Sequence, residues 1–416
     1  MAHFTEVLKN RNFFFLWLGQ IISQFGDRLN QMAMIALVYQ RAPGSSLELA
    51  KIISFTIIPV FVIGPVAGVY VDRWDRRRTM YICDSLRCAL VLLIPLLFFY
   101  KQSMLPIYIV VFLVFCVGRF FVPAKMSVVP DLVDEKNLLL ANSLINTTGM
   151  IAAALGFGLS GLIISWIGPK SGFYLDSVSF FISAILIFLI GKKMNHEKKE
   201  SLIKVGKDVL EVIEKSVMQE IKEGIFYLVK NKDLRYTIFL LFLLWGALGS
   251  IYTVIIVFVQ VTLHSVTKDL GFLVMFLGLG LFLGSLIYGK FGHKLSLFRT
   301  IFLSLISSGS AILIFALLVK SMPSFLLASA LAIVLGLVVS PIMAAGNTLI
   351  HQVAHDEMRG KVFSSLEFVM HLAFLVCMLL SALFADQIGE MKILISVGII
   401  LIITGVWGFL FGRIER

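Results

Sequence analysis

Ionisable side chains set in long apolar runs are where this sequence could do chemistry. Asp27 lies near the middle of one such run, between Phe13 and Tyr39. Arg119 lies near the middle of another, between Pro106 and Val129. Glu367 and His371 stand four apart, a spacing that brings side chains together on one helix face. At bilayer depth an ionised group costs at least ~2.5 kcal/mol on insertion scales, so each needs a partner or a function. A carboxylate held between an apolar surround and a nearby cation can load and release a proton near neutral pH. Asp27 is the first candidate for such a proton site, against the alternative of a structural ion pair. Glu367 and His371 form an alternative proton site, a polar patch of the cavity or a helix-packing hydrogen bond. Arg28 is one residue on, about 100° around a helix, so it does not share Asp27's exact direction and could serve another helix. Asp84 and Arg87, three apart near the start of their run, and Asp176, close to the outer surface, are expected to be structural.

Other chemistry finds no support. Cys83, Cys88, Cys116 and Cys377 all sit in apolar stretches without metal-ligand spacing, and are expected as buried free thiols. Gly284, Gly289 and Lys290 imitate the start of a phosphate loop, but Phe291 follows where Ser or Thr is needed and no strand precedes. No nucleophile–base motif is present, so neither an enzyme nor a cofactor is expected.

The elements that carry these residues are membrane spans. The chain of 416 residues is 59% hydrophobic and 15% charged, against about a quarter charged in soluble domains. No cleavable leader is expected, and the run from Phe13 reads as the first span. A crossing takes about 20 apolar residues. Such stretches fall near 13–40, 49–71, 79–100, 106–129, 138–167 and 171–191, then 234–263, 269–289, 297–320, 323–350, 360–385 and 391–412. The net charge of +11 sits in the loops between them, which argues for a membrane topology rather than a nucleic-acid partner. Of the 36 Lys and Arg, 26 fall on one side (Lys125 counted with the segment after span four) and seven on the other. Arg28, Arg87 and Arg119 lie within spans. The rule that positive charge stays inside then puts both termini in the cytoplasm, in the cell inner membrane.

The chain repeats itself. KNRNF from Lys9 recurs as KNKDL from Lys230, and DEKNLLLANSL from Asp134 lies over DEMRGKVFSSL from Asp356, offsets of 221 and 222. The fold expected is therefore all-α integral membrane, with twelve transmembrane helices in two pseudo-symmetric six-helix bundles. The bundles would span 1–191 and 234–416, joined by a cytoplasmic linker over 192–233. In that linker Val209, Leu210, Ile213, Val217, Ile221 and Ile225 recur at helical spacing, an amphipathic helix fit to lie on the membrane or the bundles.

Between spans two and three, GPVAGVYVDRWDRRRTM (Gly64 to Met80) matches the pattern Gly-x-x-x-Asp-x-x-x-Arg-Arg at Gly68, Asp72, Arg76 and Arg77. This resembles the loop signature of the major facilitator superfamily, and the resemblance extends over nearly the whole chain. Within that superfamily, NRNFFFLWLGQIISQFGD, GRFFVPAKMSVVPDLV and MRGKVFSS are similar to the drug/proton antiporter branch. That branch holds macrolide-efflux proteins, the enterobactin exporter and, more distantly, the bacterial lysophospholipid transporter. One departure stands out: span five reads TTGMIAAALGFGLSGLII, without the Gly-Pro pair of related exporters.

The resemblance implies alternating access around a central cavity lined by spans one and four, where Asp27 and Arg119 can meet. Met32, Met34, Phe120 and Met343 would add to that cavity, whose greasy composition fits a bulky amphipathic small molecule better than a sugar. Gly68, Asp72, Arg76, Arg77 and Asp131 would form a cytoplasmic gate, with Arg76 bridging two carboxylates and the start of span eleven near Met358 adding its positive helix end. The implied function is proton-coupled export by a monomer in the lipid bilayer. A lipid or lysophospholipid translocator, and a non-transporting receptor or scaffold signalling through the linker, are the alternatives.

Overall fold

The computed structural model describes residues 4–64, 67, 70–71, 74–97, 103–191, 232–292, 296–353 and 359–411. The linker helix expected over Val209 to Ile225 lies outside these residues, as do Gly68, Asp72 and Met358 of the expected gate. The helices run in chain order α1 (Phe4–Lys9), α2 (Arg11–Arg41), α3 (Ser46–Val62), α4 (Arg76–Leu97), α5 (Leu105–Leu132) and α6 (Leu138–Phe188). They continue as α7 (Lys232–Leu263), α8 (Lys268–Phe291), α9 (Leu297–Ser321), α10 (Phe325–Val353), α11 (Arg359–Ile388) and α12 (Glu390–Phe411).

A lipid environment offers the backbone no hydrogen-bond partners, so an apolar chain closes its own bonds as helices. Among the described residues, nine helical stretches are long and apolar enough to cross a membrane. One of them, α6, holds two spans. Its 51 residues would reach about 77 Å if straight, over twice the thickness of a bilayer core. The chain instead turns at Gly168, with φ 78° and ψ 166°, and Pro169 follows. Only glycine adopts that backbone without strain, and proline cannot continue the preceding hydrogen-bond ladder. The break falls between the two spans expected at 138–167 and 171–191. With α2 and α3, beyond which Ile63 donates to the Pro59 carbonyl and Ala67 to that of Ile63, the spans carried by the described residues number twelve.

The chain forms two compact units. The first holds Met1–Leu37 and Ile52–Met218. In it α4 packs on both α5 and α6. Phe13, Leu16, Met80, Phe121, Ala124, Val128 and Ile187 fill one core at an end of the bundle. Along α2 the enclosed positions Phe13, Leu16, Ser23, Gly26, Asn30, Ala33 and Leu37 recur mostly at three and four, so one stripe faces inward. Gly26 has to be small: a Cβ there would overlap Ser179 and stand 2.6 Å from an oxygen of Asp176.

The second unit holds Val38–Lys51 and Gln219–Arg416. Its helices pair as α8 with α10, α9 with α12 and α7 with α11. Glycine makes these pairs close. A Cβ at Gly280 would run into the carbonyl of Ile333, and one at Gly336 would stand 2.7 Å from the nitrogen of Leu281. Between α9 and α12, Gly309 and Gly398 meet in the same way, 2.6 Å from such a Cβ to the facing carbonyl. Lipid tails compete equally for apolar contact, so close van der Waals approach through small residues holds such helices together. The turn into α3 belongs to this unit through Asp386 of α11. Its carboxylate accepts from the Ser46 nitrogen at 2.7 Å, the Leu47 nitrogen at 3.3 Å and the Ser45 hydroxyl at 2.7 Å.

Candidate functional site

Asp27 stands at the midpoint of α2. Arg87 stands at the midpoint of α4, with Asp84 about one turn before it. Asp176 lies about two turns beyond the Gly168 break in α6. Three helices of the first unit thus bring three acids and one guanidinium to one level.

The guanidinium that holds Asp27 is that of Arg87 in span three, which corrects the expected meeting with Arg119 of span four. Arg87 Nη2 donates to Asp27 Oδ1 at 2.8 Å. Its Nη1 stands 3.6 Å from Asp84 Oδ1, an ion pair too long for a hydrogen bond. Its carbon centre lies 3.9 Å from the Phe180 ring centroid, a cation–π contact that helps carry a buried charge. Asp84 also accepts from the Ser183 hydroxyl at 2.6 Å. Asp176 accepts from Asn30 Nδ2 at 2.6 Å and from the Ser179 hydroxyl at 3.3 Å. Lys125 is near enough for its charge to act on Asp27. The charge count assigns Lys125 to a loop, yet it lies inside α5.

Exposure sorts these acids. The Asp27 side chain is 34% exposed, Arg87 13% and Asp84 0%, and Asp176 is likewise enclosed. Of the three acids, Asp27 alone both touches Arg87 through a hydrogen bond and keeps an open face. Asp84 and Arg87 are indeed an ion pair, but at mid-helix and shared with Asp27, not at the start of the span. Asp176 is not at a surface; it is sealed beside Asn30. Arg28 faces another helix as expected, 4.8 Å over the Phe157 ring of α6, with Nη1 donating to Gln31 at 3.0 Å.

The remaining candidates separate. Arg76 reaches Asp131 of α5 at 2.9 Å and the Ser127 carbonyl at 2.9 Å. Arg77 donates to the carbonyls of Ile187 and Phe188 at the end of α6, where a helix leaves carbonyls without partners. Both ties lie inside the first unit. Met32 and Met34 are buried on α2. Phe120 stacks on Trp74 at 5.9 Å and meets Tyr70 edge-on at 6.4 Å. Met343 is exposed. Between Glu367 and His371 the contact runs from ring to backbone: His371 Nδ1 lies 2.8 Å from the Glu367 carbonyl oxygen. The His371 ring is 5.9 Å from Trp245, and the Glu367 side chain is exposed. Among the described residues no group of His, Cys, Asp and Glu is arranged to hold a metal ion.

The family model described as Major Facilitator Superfamily matches residues 16–332 and 263–416. The chain is 26% identical over 388 residues to macrolide efflux protein A of Streptococcus pyogenes, covering 91% of this chain and 90% of that one. It is 24% identical over 398 residues to multidrug efflux pump Tap of Mycolicibacterium fortuitum, covering 94% and 93%. In fold it is similar to a bacterial homologue of the iron transporter ferroportin, with a TM-score of 0.73 at 14% identity over 95% of this chain and 98% of that one. With its twelve spans and its glycine-packed and charge-bearing bundles, the chain belongs to the Major Facilitator Superfamily, as a multi-pass membrane transporter rather than an enzyme.

Proposed function

We propose that this protein exports amphipathic or hydrophobic small molecules in exchange for protons, by alternating access, with Asp27 as the proton carrier. The observation that carries this reading is the Asp27–Arg87 pair: a mid-span carboxylate, one-third open, held by a guanidinium at 2.8 Å. Protonating Asp27 removes half of that ion pair, which gives a proton a way to shift the balance between two conformations. Export and a macrolide-like substrate are supported by the efflux proteins to which the chain is similar. The positive-inside count supports an inner-membrane protein with both termini cytoplasmic, and a monomer suffices because the acids and Arg87 all come from one chain. Arg76 and Asp131 would then stabilise the cytoplasmic end of the first unit.

The test is transport of a macrolide in proteoliposomes with and without an imposed ΔpH. Asp27→Asn is expected to lose the ΔpH-driven component while still binding the drug. Full ΔpH-driven transport by that variant would remove Asp27 from the mechanism.

A lipid or lysophospholipid translocator is a second reading, favoured by one feature. An apolar groove of about 440 Å³ runs between α2 and α6, lined by Phe25, Leu29, Leu155, Leu159 and Val178 among others, a lining suited to an acyl chain. Stabilisation of the purified protein by lysolipids, and not by drugs, would favour it over export. A receptor role would rest on the linker, which lies outside the described residues.

A further inference from the structure

We infer that Arg87 is a counter-ion exchanged between two carboxylates, and that Asp84 is the positioning residue that receives it when Asp27 takes up a proton. This rests on the reading of Asp27 as the proton carrier. The geometry is unevenly shared: one guanidinium nitrogen is hydrogen-bonded to Asp27 at 2.8 Å, and another stands 3.6 Å from Asp84. Among the described residues, Asp84 Oδ1 is buried with no hydrogen-bond donor, while Oδ2 is anchored by Ser183 at 2.6 Å. Arg87 Nε is likewise buried with no acceptor among them. A carboxylate oxygen thus sits just beyond hydrogen-bond reach of a guanidinium that has bonding capacity to spare. A small rotation of Arg87 would close the gap.

The need for such an exchange is electrostatic. A proton on Asp27 removes the counter-charge to which Arg87 is hydrogen-bonded and leaves only the 3.6 Å contact with Asp84, and a poorly compensated buried cation is disfavoured. Transfer to Asp84 keeps the guanidinium paired throughout, so neutralising Asp27 no longer strands a charge. Two further described groups whose charge acts on Asp27 do not fit this role. Lys125 is a cation, and Asp176 is held by Asn30 and Ser179. Asp84 lies three residues before Arg87 on the same helix, where the two side chains share a face. The Phe180 ring, packed against the guanidinium at 3.9 Å, supports the cation in either position.

Two measurements test this. In proteoliposomes, Asp84→Asn deprives Arg87 of its second partner and so opposes proton uptake in the transport cycle. The midpoint of the pH–transport profile should move toward acid by about one unit or more, and Asp84→Glu should restore it. A profile superposed on the wild type would overturn the inference. Independently of whether Asp84→Asn folds, a structure of Asp27→Asn, a mimic of the protonated acid, should bring Arg87 within about 3 Å of Asp84 Oδ1. Arg87 still bonded to residue 27, with the gap to Asp84 unchanged, would also overturn it. Either result, in a protein where Asp27→Asn has lost ΔpH-driven transport, defeats the relay and leaves proton coupling standing. Retained ΔpH-driven transport by Asp27→Asn defeats both.

Discussion

The two units solve the same packing problem by different means. In the second, helices are drawn together by glycines whose missing side chains let backbones touch, at Gly280 and Gly336 and again at Gly309 and Gly398. In the first, the centre of the bundle is organised by charge: Arg87 between Asp27 and Asp84, with Asp176 sealed alongside. The repeat makes the contrast direct. Where span one carries Asp27, span seven reads WGALG, and there Trp245 lies beside His371 while Gly249 admits the backbone of Phe374. Glycine contact fixes one arrangement, because a packed surface has no variable to change. A shared counter-ion has such a variable, the proton. The first unit is thus suited to respond and the second to hold its shape.

Four substitutions and one neutral control break or sharpen that contrast. The largest effect is expected from Arg87→Ala, which leaves Asp27 and Asp84 without their common cation; loss of one partner of a buried pair costs about 3–5 kcal/mol. Thermal unfolding in detergent should show a large drop, and transport should vanish. Next, Leu248→Asp places an acid in span seven at the position matching Asp27, without the arginine that Asp27 has in span three. The expected cost is about 2.5–3.5 kcal/mol, read as reduced membrane insertion or lower unfolding temperature. Tolerance of that acid would mean the asymmetry is incidental. Gly280→Ala should cost about 1–3 kcal/mol by forcing α8 from α10. Gly289→Ala, where a Cβ would meet nothing within 4 Å, is the neutral control. Apart from that control, the smallest effect belongs to Asp386→Ala. It removes the acceptor of the first amides of α3 and should cost about 1 kcal/mol, as loss of a helix cap does.

Much of the fold is legible in the sequence because the membrane permits few solutions. Apolar run length locates the spans, and the Gly168–Pro169 pair sits in the interval left between spans five and six. Asp27 is legible as well, since depth along a helix can be counted. Its partner is not, for two reasons. Counting gives depth but not direction, so Arg119 and Arg87 compete until the helices are placed. The apolar run of span three also begins later than its helix does. Counted from Thr79, Asp84 falls near the entry; α4 in fact begins at Arg76, which puts Asp84 about 12 Å and Arg87 about 17 Å along it. Counting span six from Ser171 rather than from the Gly168 break shifts Asp176 toward a surface in the same way. A sharper signal is present in the sequence. Asp84 and Arg87 are spaced to share a face, and Arg87 is one of three arginines within spans. Chemistry alone nominates Met32 and Met34 for the cavity, and their neighbours Ala33, Ala36 and Leu37 are buried with them.

The central claim is that substrate and proton meet through Asp27. It is tested most directly by counting protons: purified protein in weakly buffered detergent solution, with a pH-sensitive dye, on addition of a macrolide. The wild type should release up to about half a proton for each drug bound at the midpoint of its pH profile, by linkage, and Asp27→Asn should bind the drug and release none. Equal release from both proteins would contradict the account.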